Sequence, residues 1–254
     1  MFRRHPLWIG LLCAALLAGC SLPFWKAKEP EPPAPSPPPL ELPAPDPFLV
    51  LLPQQDLHLL MEVQDHGAQP VQIAEEWLRE EAEQALIATY AGVPYVRWEW
   101  NAEGLWRLDP RGGGVMLRYL PPTLTDGAVW KQQSGAETVW FHLARRAEPC
   151  PLPGGESADC WNLTVLNRRE LLTFTFARGI GPVAAVAENF ANRSDSFTKK
   201  LIQKGPSQLS PEQRAGLLAQ LKSPGRPAAP VQTATLEEFQ AARAAVQGGA
   251  APAP

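Results

Sequence analysis

Hydrophobic and polar residues alternate in short segments along the middle of the chain. In Tyr95–Trp100, Val96, Trp98 and Trp100 fall on one face, which is the period of a half-buried strand. Asn101–Gly104 supplies turn chemistry, and a second apolar segment follows it directly. The predicted strands are Leu57–Val63, Tyr95–Trp100, Leu105–Leu108, Val115–Leu120, Gly127–Trp130, Glu137–Arg145, Trp161–Asn167, Leu171–Ala177 and Val183–Phe190. Successive strands with short turns and no helices between them predict a mainly β fold with one antiparallel meander.

Residues 71–92 fit two interpretations. Glu75–Leu86 is rich in helix formers, and apolar residues from Val71 onward recur at helical spacing, which favours one helix at about 71–90. Gln84–Tyr90 alternates as a strand would, however, so the residues alone leave both structures open. The glutamates of this segment are expected to form a solvated face: Glu75, Glu76, Glu80, Glu81 and Glu83.

Proline is concentrated at the two ends of the chain, which holds 29 prolines in 254 residues. Pro30–Pro47 cannot pack a core and favours an extended, disordered spacer. After Gly205 the chain is rich in Pro and Ala, with two short helices predicted to begin after Ser210 and Thr235. The expected organisation is a signal peptide (1–19), a lipidated linker (20–47), a β domain (48–204) and a low-complexity tail (205–254).

The N-terminus carries Arg3 and Arg4, then the apolar run Leu7–Leu17, then Leu17-Ala18-Gly19-Cys20. This pattern resembles the lipobox of bacterial lipoproteins. The resemblance implies cleavage after Gly19, a palmitate-type lipid on Cys20 and a place in the cell envelope, anchored to the bilayer. If the host is Gram-negative, Ser21 implies the periplasmic face of the outer membrane. An ordinary secretory peptide or a single anchoring helix is the alternative.

Charge narrows the set of partners. Without the two arginines of residues 1–19 the chain keeps 21 basic residues against 26 acidic ones, a net charge of −5. An acidic protein is a poor ligand for nucleic acid or for anionic lipid headgroups. The remaining partners are the bilayer, through acylated Cys20, and an envelope protein or an apolar ligand.

A second resemblance covers about residues 115–190. Leu120-Pro121-Pro122, Trp130, Asp159-Cys160-Trp161 and Phe176–Val183 follow a pattern of bacterial envelope lipoproteins with a curved antiparallel sheet, broadly similar to DUF3108-like and lipoprotein-carrier β folds. The resemblance implies strands rather than a helix for much of 57–92. It brings no activity with it.

Besides Cys13 in the apolar run of the predicted signal peptide and Cys20, the expected site of lipid attachment, the chain has two further cysteines, Cys150 and Cys160. They flank a loop of Pro, Gly and Ser in an exported domain, which predicts a disulfide. A metal site would need more ligands than His142 provides, and a redox pair usually has two intervening residues. Motifs of serine hydrolases and zinc proteases are absent from the sequence, so neither an enzyme nor a cofactor is predicted.

The tryptophans support two interpretations of function. Aromatic residues on a sheet usually form its core. Alternatively, a curved sheet with few helices exposes an apolar concave face to a ligand, and the candidates are Trp98, Trp100, Trp130 and Trp140. The sequence therefore predicts a non-enzymatic binding or assembly role at the envelope. The alternative is a carrier of lipid or lipoprotein acyl chains in that concavity.

Overall fold

The structure is a computed structural model that describes residues 49–108, 115–219 and 227–248. The expected signal peptide, Cys20 and the proline-rich linker lie outside the described residues. The helices are α1 (Pro211–Ala219) and α2 (Leu236–Gln247). The strands are β1 (Leu57–Asp65), β2 (Val71–Glu80), β3 (Ala85–Tyr90), β4 (Val93–Asn101), β5 (Gly104–Leu108), β6 (Met116–Leu120), β7 (Ala128–Ser134), β8 (Glu137–Arg145), β9 (Cys150–Pro151), β10 (Ser157–Ala158), β11 (Cys160–Leu166), β12 (Glu170–Ala177), β13 (Gly181–Asn189), β14 (Phe197–Pro206) and β15 (Val231–Ala234).

Thirteen of the described strands form one sheet in the order β15-β7-β8-β11-β12-β13-β14-β1-β2-β3-β4-β5-β6. The pairings between these strands are antiparallel, and β9 and β10 form a separate ribbon. Two meanders, β1–β6 and β7–β14, are joined where β14 pairs with β1. The predicted mainly β fold with a curved antiparallel meander is confirmed.

Residues 71–90, which the residues alone left open, form the strands β2 and β3. β2 pairs with β1 on one side and with β3 on the other, so both of its edges are satisfied by backbone hydrogen bonds. Trp77 is buried in the main core, and its neighbour Leu78 is buried in a separate cluster with Ile87 and Leu217 of α1. A strand places successive side chains on opposite faces of the sheet, so Trp77 and Leu78 can both be buried. The burial of both faces outweighs the helix propensity of the segment.

The two edge strands come together where the sheet closes on itself. Met116 of β6 donates its backbone N–H to Pro227 and accepts from Ala229, both at 2.9 Å. Beside them, the side-chain amide of Gln132 accepts from the backbone N–H of Arg118 and donates to its carbonyl, each at 3.0 Å. Gln132 is only 1% exposed. Its amide replaces a missing strand backbone at this seam, and the sheet is nearly closed as a result.

One half of the interior is filled by aromatic side chains, and we call it the packed half. Phe141 stacks on Trp130 with 5.3 Å between ring centroids and meets Tyr119 edge-on at 5.5 Å. The main core continues beyond these rings and includes the fully buried Phe176 and Leu51, the latter from the segment before β1.

Both predicted helices are confirmed, and each packs on the outer face of the sheet. At α1, Ser210 and Gln213 exchange hydrogen bonds between side chain and backbone. At α2, Thr235 and Glu238 form a complete capping box. Leu217 of α1 joins Leu78 and Ile87, and α2 contributes to a cluster of Val129, Trp140, Leu166, Leu171, Phe239, Ala242 and Val246. The domain boundary at residue 204 stays a prediction, and these are the contacts that a truncation there would remove.

The expected disulfide between Cys150 and Cys160 is present and joins β9 to the start of β11. Both cysteines are buried in the main core. Neither α1 nor α2, the helices of the described residues, is long and apolar enough to cross a membrane.

Candidate ligand site in the concave face

The part of the interior beside the packed half, which we call the cavity half, contains a cavity of about 170 Å³, the inner cavity. Its volume is close to that of an engineered apolar cavity of about 150 Å³ that binds benzene. The walls are mostly apolar and are formed by Met61, Trp77, Tyr95, Val96, Trp98, Arg107, Leu172, Phe174, Pro182, Ala184, Ala185, Phe197 and Lys199. The inner cavity can therefore hold one ring or a short length of hydrocarbon.

An outer depression of about 480 Å³, which we call the mouth, adjoins the inner cavity and shares Tyr95, Phe197 and Lys199 with it. Its rim is apolar: Tyr90 is 49% exposed and Val93 is 62% exposed. These two residues pair with each other at the ends of β3 and β4. The lining of the mouth is Val63, Asp65, Ile73, Glu75, Tyr90, Val93, Tyr95, Phe197 and Lys199. Exposed apolar side chains gathered at one opening are typical of a binding site.

A buried carboxylate lies where the inner cavity meets the mouth. Glu75 is only 1% exposed and binds the ammonium group of Lys199. Its carboxylate also accepts from the Tyr95 hydroxyl at 2.7 Å and from the Trp77 indole N–H at 3.1 Å. Desolvation, the charge of Glu75 and the hydrogen bond to it raise the pKa of Tyr95 above its ordinary value. Tyr95 therefore stays a donor, and the polar atoms of this cluster satisfy one another.

Arg107 is the second cation on the wall of the inner cavity. Its guanidinium lies over the rings of Trp98 and Tyr119, with Cζ 5.4 and 5.6 Å from their centroids. Within residues 49–108, 115–219 and 227–248, no carboxylate forms an ion pair with it. Cation–π contacts hold the guanidinium in place but do not neutralise its charge.

The four tryptophans suggested by the sequence do not lie together. Trp98 lines the inner cavity. Trp130 belongs to the packed half, and Trp100 is buried beneath the guanidinium of Arg79 at 4.7 Å. Trp140 lies on the outer face with α2, because neighbouring residues of a strand point to opposite sides and Phe141 points inward.

The sequence pattern does not single out Tyr95, Arg107 or Lys199, and it predicts a solvated face for Glu75. Glu75 is buried instead, because β2 is a strand and Glu75 falls on the same face as Ile73 and Trp77. An alternating pattern would have revealed this, but the helical composition of the segment concealed it. Among the described residues, no group of three or more His, Cys, Asp or Glu side chains could hold a metal ion.

No family model and no curated protein matches the chain. Among solved structures, an exported protein with a YmcC-like fold from Bacteroides fragilis is 10% identical, with a TM-score of 0.35 over 61% of this chain and 97% of that one. The lipoprotein YmcC from Escherichia coli is 12% identical, with a TM-score of 0.29 over 61% and 86%.

A LolA superfamily protein from Nitrosomonas europaea is 8% identical, with a TM-score of 0.26 over 64% of this chain and 91% of that one. These neighbours are exported proteins, lipoproteins or members of the LolA superfamily. All three TM-scores lie below 0.5, so these similarities carry no argument about the function of this chain.

Proposed function

We propose that the protein is a non-enzymatic binding protein of the cell envelope that takes an apolar ligand through the mouth into the inner cavity. The observation that carries the proposal is the pairing of the two spaces: an apolar cavity inside the sheet and an exposed apolar rim beside it. Side chains that line an empty cavity lose contacts on one side, which costs stability. An apolar ligand restores those contacts.

A hydrocarbon chain fits this arrangement better than a compact molecule does. The inner cavity accommodates only a ring-sized group, and the mouth continues it past Tyr95 and Phe197 toward solvent. A chain can fill both spaces, and each buried CH2 contributes about 0.8 kcal/mol. A carrier of acyl chains is thus the specific form of the binding role that we propose.

Titration calorimetry with 1-dodecanol tests this function. The protein is expressed without residues 1–19 and with Cys20→Ser, so that no attached lipid competes for the site. We expect saturable binding that Ala185→Leu weakens at least tenfold, because Ala185 lines the inner cavity and a larger side chain there fills it. The free energy of unfolding should stay the same or rise, since the new methyl groups enter empty space.

The matched control is Ala144→Leu, the same substitution on the half-exposed β8 residue next to the inward-pointing Leu143. It should leave dodecanol binding unchanged. Absence of saturable binding to the unsubstituted protein would contradict the proposal and favour an assembly role at the envelope. Equal weakening by both substitutions would show that the inner cavity is not the binding site.

The envelope location is proposed from the lipobox-like segment that ends at Cys20. Labelling of cells with an alkyne analogue of palmitate should tag the protein, and Cys20→Ala should abolish the label. Fractionation of the membranes should then find the labelled protein in the outer membrane of a Gram-negative host. Equal labelling of both proteins would refute lipid attachment at Cys20 without affecting the binding proposal.

A further inference from the structure

The two cations at the ligand site differ in how their charge is balanced. The ammonium group of Lys199 binds the buried carboxylate of Glu75, so that pair carries no net charge. Arg107 has no such partner among the described residues. Among the residues that the structure describes, the mostly apolar wall of the inner cavity thus carries one cation without a counter-charge.

A second group at the same place lacks an acceptor. Trp98 is 2% exposed and lines the inner cavity, and its indole N–H has no hydrogen-bond partner. Buried polar groups are almost always paired, and a buried donor without an acceptor is unfavourable. The indole N–H of Trp98, on the wall of the inner cavity, can therefore take an acceptor that a ligand brings.

Arg107 and Trp98 are also brought together by the sheet. They are directly opposed residues on β5 and β4, so their side chains share the concave face. The guanidinium lies 5.4 Å from the centroid of the indole ring. A cation with several N–H donors and an indole N–H thus stand side by side, and together they match a carboxylate or phosphate oxygen.

We infer that the ligand is an anionic amphiphile whose carboxylate or phosphate group is bound by Arg107 and Trp98, while its hydrocarbon chain occupies the apolar remainder of the inner cavity and the mouth. This inference rests on the proposed function and adds the class of ligand to it. The net charge of −5 expected for the chain from residue 20 does not oppose it, because selection acts at the cavity and not through the overall field.

The test compares three ligands with the same chain: dodecanoate, dodecyl phosphate and 1-dodecanol. Calorimetry is performed below the critical micelle concentrations, with the chain from residue 20 carrying Cys20→Ser. At least one of the two anions should bind about tenfold more tightly than the alcohol, since a hydrogen bond to a charged group contributes about 1.5–3 kcal/mol. Whichever anion is preferred identifies the carboxylate or the phosphate as the source of the charge.

Arg107→Met retains an apolar stem and removes the charge. It should bring the affinities for anion and alcohol within about twofold of each other. Arg107→Lys should retain part of the preference, and Trp98→Phe, which loses only the donor, should weaken anion binding a few-fold. Arg97→Met is the control, because Arg97 lies on the same strand β4 but pairs with Glu83 and Glu99; it should leave the preference intact.

Equal affinity of the unsubstituted protein for the anions and the alcohol would overturn this inference while leaving the proposed function standing. An anion preference that survives Arg107→Met would overturn it as well. If none of the three ligands binds, the proposed function itself fails. Thermal unfolding of each variant shows whether the protein is folded, and the anion-to-alcohol ratio compares ligands on the same variant, so partial destabilisation does not obscure the result.

Discussion

The two halves of the interior are built from the same kinds of residues but are filled differently. In the packed half, aromatic rings from facing strands meet one another, as Phe141 does with Trp130 and Tyr119. In the cavity half, Ala184 and Ala185 of β13 line the space together with Trp77 and Trp98, and an alanine is too short to fill it. One continuous sheet therefore encloses a solid core in one half and a cavity in the other. The cavity depends on small side chains such as Ala184 and Ala185.

Both halves hold polar groups, but the groups differ in kind. The cavity half contains the buried Glu75, the partly exposed Lys199 and Arg107, whereas ring contacts surround Phe141 in the packed half. Charged groups inside a protein are expensive unless they are paired or serve a ligand. The cavity half is thus less completely packed than the other, which is the arrangement that the proposed binding role requires. Substitutions in the packed half should therefore change mainly the free energy of unfolding, and substitutions in the lining of the inner cavity should change mainly the affinity for a ligand.

The largest effect on stability is expected in the packed half. Phe141→Ala should reduce the free energy of unfolding by about 3–5 kcal/mol, because it leaves a void among rings that cannot collapse. Chemical denaturation measures this loss. Dodecanol binding by the fraction that remains folded should be unchanged. A loss below about 1 kcal/mol would mean that the two halves are equally loose and that the distinction is unfounded.

Glu75→Gln should have the next largest effect, because it leaves the ammonium group of Lys199 without its counter-charge. We expect a loss of about 3 kcal/mol, at the lower end for a broken buried ion pair because Lys199 is partly exposed. The double variant Glu75→Gln with Lys199→Met should recover a substantial part of that loss. If it is no more stable than the single variant, the two side chains are not coupled and the cluster at the mouth has been misread.

The disulfide should stabilise the fold without affecting the ligand. Replacing Cys150 and Cys160 together by alanine should cost about 2–3 kcal/mol, the chain-entropy value for a loop of this length. The affinity for dodecanol should be unchanged, since neither cysteine lines the inner cavity or the mouth. Mass spectrometry after alkylation of envelope protein should find the two joined. Weaker dodecanol binding by the double variant would show that the disulfide supports the inner cavity, and stability and binding would then not be separable in the way proposed.

The smallest expected effect is on the pH dependence of stability and concerns a residue on the outer face of the sheet, outside both halves of the interior. Burial lowers the pKa of His142, whose ring lies 5.4 Å from Phe239 of α2. The unfolded chain then binds more protons than the folded one, so the stability from neutral His142 is present above about pH 6.5 and is lost as the pH falls through the lowered value.

Denaturation curves between pH 7 and pH 5 should accordingly show a smaller loss of stability for His142→Gln than for the unsubstituted protein. His66→Gln, at an exposed residue, is the control for the loss of an imidazole at the surface. Identical slopes for His142→Gln and the unsubstituted protein would show that His142 titrates alike in the folded and unfolded states.

Local sequence patterns predicted the fold well and the site poorly. Alternation identified the strands from Tyr95 onward, and the capping residues Ser210 and Thr235 located both helices, since these signals depend on neighbours in the chain. The closure of the sheet by Gln132 could not be foreseen. That residue looks like an ordinary polar strand residue, because β6 and β7 follow each other in the chain but lie near opposite ends of the strand order, and only the closure of the sheet brings them side by side.

The site escaped prediction for a related reason. Its polar side chains, those of Glu75, Tyr95, Arg107 and Lys199, come from β2, β4, β5 and β14. Nothing in the local sequence of Arg107 or Lys199 distinguishes them from surface cations. Tryptophans were noticed because they are rare, and of the four candidates Trp98 lines the inner cavity, together with Trp77, which was not a candidate. The small residues Ala184 and Ala185, whose size leaves the space open, carry no sequence signal of their own. Voids are properties of facing strands and not of segments.

The most direct test of the central claim is quenching of tryptophan emission by 1-bromohexane, a chain short enough for the inner cavity. Bromine quenches indole fluorescence on contact, so titration should produce a saturable loss of emission. Trp77 and Trp98 both line the inner cavity, so replacing both by Phe should remove most of that saturable component, whereas Trp130→Phe, in the packed half, should retain it. A loss that never saturates, or one that the double variant and Trp130→Phe reduce equally, would contradict the claim that the inner cavity of the sheet receives an apolar ligand.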